Sequence, residues 1–71
     1  MMEVLTINGV QKQFSKGELP RTVSKLLERL NINEATVVAE IDGRIIQKQN
    51  FTDTSLSDGQ SIELVRFVGG G

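Results

Sequence analysis

Few residues in this sequence are of a kind that does chemistry, and the ones that matter most stand together at its end. Cysteine and histidine are absent from the 71 residues. That removes a thiolate nucleophile, an imidazole base, a disulfide framework and any Cys/His zinc or cysteine-held iron–sulfur site. No metal is expected. What remains is the run Val65-Arg66-Phe67-Val68-Gly69-Gly70-Gly71 and the carboxylate that closes it. Glycine has no Cβ, so three in succession make a thin, flexible tail whose backbone a narrow groove can admit. Extended, the three residues reach roughly 10 Å. A carboxylate becomes an acyl donor only when one of its oxygens is made a better leaving group. A partner using ATP could achieve this by forming an acyl-adenylate at Gly71, which a sulfur nucleophile could turn into a thiocarboxylate. A frayed, inert end is the competing reading of the same glycines.

Such a tail needs a strand to carry it. Residues 61–68 read as that strand, and successive strand side chains alternate between faces. Ile62 and Leu64 then point to the core, whereas Glu63, Val65 and Phe67 point the other way. Val65 and Phe67 are therefore candidates for docking a partner; the alternative is that neighbouring strands partly cover Phe67.

The rest of the chain supplies a scaffold. Residues 4–8 and 10–14 read as two strands joined at Asn8-Gly9, a pair suited to the two positive φ angles of a type I′ turn. A helix follows with Thr22 as N-cap, and Val23, Leu26, Leu27 and Leu30 fall on one face at i, i+3, i+4 and i+7. Residues 36–41 and 44–47 form a second pair of strands about Asp42-Gly43. Residues 48–57 are irregular, pinned to the core by Phe51 and Leu56, and Asp58-Gly59 turns the chain into the last strand. The expected fold class is α+β: a β-grasp, with a mixed sheet of four to five strands packed on one helix and a flexible glycine tail. The whole, 1–71, is one expected domain, with 69–71 as its tail.

Composition sets further bounds. A hydrophobic fraction of 38% and a charged fraction of 24% suit a globular chain. Eight basic and nine acidic residues leave a net charge of −1, with no basic stripe and no Trp or Tyr, so nothing points to nucleic acid. No stretch has the length of a membrane span or the apolar core of a signal peptide, which makes the cytoplasm the expected compartment. A domain of this size buries only about 60% of its unfolded surface, too little to enclose a deep active site. The expectation is a carrier acted on by enzymes, monomeric when free, with no bound cofactor.

The sequence resembles the ThiS family, sulfur carriers of thiamine biosynthesis with a ubiquitin-like fold. The resemblance rests on the ending Val65-Arg66-Phe67-Val68-Gly69-Gly70-Gly71, the preceding Leu56-Ser57-Asp58-Gly59-Gln60-Ser61-Ile62-Glu63, the opening Thr6-Ile7-Asn8-Gly9 and the helix with Val23, Leu26 and Leu27. Gln60 departs from it, standing where many relatives have an acidic residue. The resemblance implies that Gly71 is adenylated with ATP by a ThiF-type adenylyltransferase and becomes a thiocarboxylate. It implies that Gly70 completes the Gly-Gly motif, that Gly69 extends it, and that thiazole synthase ThiG receives the sulfur. Alternatives on the same fold are the small subunit of molybdopterin synthase, a carrier for tRNA thiolation or cysteine synthesis, and a ubiquitin-like protein modifier. A β-grasp interaction module with inert glycines stands outside these.

Overall fold

The computed structural model describes residues 2–67. Five strands and one helix follow in the order β1 (Met2–Ile7), β2 (Val10–Ser15), α1 (Val23–Arg29), β3 (Val37–Ile41), β4 (Arg44–Ile46) and β5 (Ser61–Arg66). Short 3-10 turns occupy Glu34–Thr36 and Lys48–Asn50. In space the strands run β2-β1-β5-β3-β4. β1 and β5 are parallel and the other neighbours antiparallel. This is the mixed sheet on one helix that the sequence leads one to expect, with all five strands formed.

The two hairpins form where their turn residues dictate. Asn8 and Gly9 have φ of 51° and 80°, and Asp42 and Gly43 have φ of 49° and 86°. Such consecutive left-handed angles match the twist of the flanking strands. The first strand starts earlier than its alternation suggests, at Met2, and stops at Ile7 because Asn8 belongs to the turn. The third strand starts at Val37, since Thr36 closes a 3-10 turn capped by the Asn33 side chain on the Ala35 N–H at 2.9 Å. The fourth stops at Ile46, one residue short of the expected end. The last stops at Arg66, although the Phe67 N–H still donates to the Thr36 carbonyl at 3.0 Å.

The helix is bounded by backbone chemistry at both ends. Thr22 is extended, and its Oγ1 accepts from the Lys25 N–H at 3.1 Å, satisfying one orphan donor of the first turn. At the other end Asn31 turns left-handed (φ 62°). Its N–H donates to Glu28 and that of Ile32 to Leu27. These two bonds make a Schellman motif, with asparagine where glycine is commonest.

Between helix and sheet lies one apolar core. α1 contributes Val23, Leu26 and Leu27; β1, β3 and β5 contribute Leu5, Ile7, Val37, Ala39, Ile41, Ile62 and Leu64. Phe51 and Leu56, from the irregular stretch after β4, are buried in the same cluster, as their apolar character implied. Backbone bonds hold that stretch against α1: the Val23 N–H donates to Thr54 and the Ser24 N–H to Phe51. Among the described residues no polar side chain is buried. The core side of the sheet thus meets the rule that apolar surface removed from water must be packed and dry.

Candidate carrier surface

The residues expected to carry the chemistry, Gly69, Gly70 and Gly71, lie outside the described residues, as does Val68. The structure does describe how the chain is delivered to them. β5 is central in the sheet, flanked by β1 on one side and β3 on the other. Its alternation is as the sequence requires: Ile62 and Leu64 are buried beneath α1, and Val65 and Phe67 face away, 58% and 50% exposed. Phe67 is thus half covered and half open to solvent.

Two further residues join them, and neither is legible without the strand order. Val38 of β3 is directly opposite Val65, and Ile45 of β4 stands beside Glu40 on the same face. Val38 is 40% exposed and Ile45 68%. An apolar strip thus crosses three strands on the open face and ends at Phe67, the last described residue before the glycines. A groove between the Gly17-to-Thr22 loop and α1, on the helix side, shares none of these residues.

The course of β5 is set by side chains of both hairpin turns. β1 ends at Ile7, yet its pairing with β5 is carried on by the Asn8 side chain. Oδ1 accepts from the Leu64 N–H at 2.7 Å, and Nδ2 donates to the Leu64 carbonyl at 3.2 Å. The amide thus replaces a peptide unit of the parallel ladder. At the other end of β5, Asp42 Oδ1 accepts from the Ser61 N–H at 3.0 Å, while the Asp42 N–H donates to the Ser61 carbonyl. The sequence marks Asn8 and Asp42 as turn formers only. A turn glycine at either place would satisfy φ as well, so the choice of a side chain with hydrogen-bonding atoms is the one local signal of the second role.

No group of three or more metal-ligating side chains occurs among the described residues. No helix there is long and apolar enough to cross a membrane. The fold and the strip together define a class: a ubiquitin-like β-grasp domain whose central strand β5 bears an exposed apolar strip on the face away from the helix.

Comparison with known proteins narrows the class. A model of the ThiS family matches residues 5–71. The chain is 32% identical over 68 residues to the sulfur carrier protein ThiS of Bacillus subtilis, covering 96% of this chain and all of that protein. It is 34% identical over 67 residues to a thiazole synthase of Paramagnetospirillum magneticum. That match takes in 94% of this chain but spans only a fifth of the synthase. The crystal structure of a thiamine biosynthesis protein, ThiS, from Geobacter metallireducens superposes with a TM-score of 0.77 at 32% identity, covering 96% of this chain and 99% of that one. The chain belongs to the ThiS family.

Proposed function

We propose that this chain is the sulfur carrier of thiamine biosynthesis, with the Gly71 carboxylate as its working group. The observation that carries the reading is the family match, which runs through the β-grasp and on to Gly71 itself. A carboxylate oxygen attacks the α-phosphorus of ATP on a ThiF-type adenylyltransferase, and pyrophosphate leaves. A sulfur nucleophile at the oxidation level of sulfide then attacks the acyl carbon. AMP departs with one of the original carboxylate oxygens, and a thiocarboxylate remains. The chain is a carrier and not itself the catalyst; ATP belongs to the partner, and the work is cytoplasmic.

Gly69 and Gly70 give the carboxylate its reach, and Val65 and Phe67 dock the partner beside the site the tail enters. A ThiG-type thiazole synthase is the receiver. In its support, a region resembling nearly all of this chain occupies a fifth of a protein named thiazole synthase.

The test is an intact mass after incubation with ATP, a ThiF-type enzyme and a sulfur donor. Replacement of one oxygen by sulfur, localised to the C-terminal peptide, is expected. An unchanged mass, with an enzyme that is active on another carrier, overturns the reading. Removal of Gly70 and Gly71 is expected to abolish rescue of a thiamine-auxotrophic strain while leaving the unfolding midpoint where it was.

A further inference from the structure

The open face of the sheet carries a charge arrangement that the docking of Val65 and Phe67 does not explain. Glu40 of β3 and Glu63 of β5 are directly opposite one another in the antiparallel ladder. Like charges so placed repel and destabilise a sheet. Among the described residues neither carboxylate has an ion-pair partner; the one salt bridge is Lys25–Glu28, on the helix. The pair also sits within the apolar strip, with Val38 and Val65 two residues along the same strands and Ile45 opposite Glu40.

The basic residues are segregated from it. Three of the eight Lys and Arg residues lie in strands: Lys12, Arg44 and Arg66. Their register partners are Leu5, Ile41 and Val37, all core-facing, so these three alternate to the helix side. The strand positions of the open face thus hold two carboxylates, no cation and an apolar strip.

From this segregation we infer that the open face docks a protein surface presenting an Arg or Lys side chain among apolar residues, with the cation seated between Glu40 and Glu63. The inference rests on the carrier reading above and adds to it the chemistry of the surface that takes up the tail. A cation there relieves the repulsion and forms charge-assisted bonds at the edge of an apolar contact that excludes water. A second copy of this chain does not fit, because pairing two such faces brings four carboxylates together.

The experiment compares the wild-type chain with Glu40→Gln, Glu63→Gln and the double variant, using the ThiF-type enzyme as partner. Glutamine keeps the shape and removes the repulsion, so thermal midpoints are expected to stay or rise, which separates binding from folding. At low ionic strength the double variant is expected to bind about tenfold more weakly. The wild type should lose affinity as salt is added, and the double variant should lose much less. Phe67→Ser is expected to weaken binding while keeping the wild-type salt dependence. Equal affinity and equal salt dependence for the wild type and the double variant overturn the inference, even where the wild type is thiocarboxylated normally. A wild type that acquires no sulfur overturns the carrier reading instead, and the inference with it.

Discussion

The two faces of this sheet are made by alternate residues of the same strands, yet they are built to different ends. On the helix side Ile62 and Leu64 of β5 are buried in one core with Leu26, Leu27 and Phe51. On the other side the intervening Val65 and the following Phe67 stay in water, next to Val38 and Ile45. One face spends apolar side chains on folding; the other holds them in reserve. Burying a Leu or Phe stabilises by about 2–3 kcal/mol relative to leaving it exposed. A domain this small has little stability to spare. Leaving four large apolar residues uncovered is therefore a cost to the free protein, and it becomes a gain only when another surface covers them.

Substitutions that interchange the two roles put the comparison at risk. The largest effect is expected from Leu26→Ala, which empties a fully buried position: about 3 kcal/mol lost, read by denaturant unfolding. Phe67→Ser should show the opposite pattern, with stability changed by less than about 0.5 kcal/mol. Its kcat/KM for adenylation by a ThiF-type enzyme should fall by about tenfold or more, as for a central interface aromatic. An unfolding midpoint that drops while adenylation holds would place Phe67 in the core after all.

Smaller effects sharpen the boundary between the faces. Asn8→Ala removes both bonds to Leu64 and puts a poorly suited residue at φ 51°, for an expected loss of about 2 kcal/mol. Asn8→Gly keeps the turn and loses only the bonds, so about 1 kcal/mol is expected. Faster amide exchange at Leu64 in both variants would identify the clamp as the cause. The smallest effect is a gain: Asn31→Gly, at the left-handed end of α1, should stabilise by roughly 0.5 kcal/mol. Adenylation should be untouched, since Asn31 lies on the far side from the strip.

What was legible in the sequence is what nearest neighbours decide. Asn8-Gly9 and Asp42-Gly43 announce hairpins because φ is a local property. Thr22 announces the helix start because its partner is three residues away. The outward direction of Val65 and Phe67 follows from Ile62 and Leu64 by alternation alone, and the structure agrees. The expectation of a mixed sheet held, but the register in which β5 sits between β1 and β3 was not legible, because it depends on contacts far apart in the chain. The Asn8–Leu64 pair spans 56 positions, and the choice of asparagine over glycine at the turn does not say which distant strand its amide bridges. For the same reason Val38 and Ile45 could not be joined to the strip, and Glu40 could not be seen facing Glu63. The helix end was half legible: the apolar spacing reaches Leu30, but the Schellman bonds depend on asparagine accepting a conformation glycine prefers.

The place of β5 has a consequence for how the protein comes into being. It is the last of the five described strands in sequence and the middle one in the sheet. Until it emerges from the ribosome, the β1–β2 and β3–β4 hairpins have no common neighbour, and isolated two-stranded hairpins are marginal at best. Folding therefore waits for the segment that leads directly into the tail. A chain cut short before β5 therefore lacks both the strand that joins the two hairpins and the Val65 and Phe67 side chains of the exposed strip.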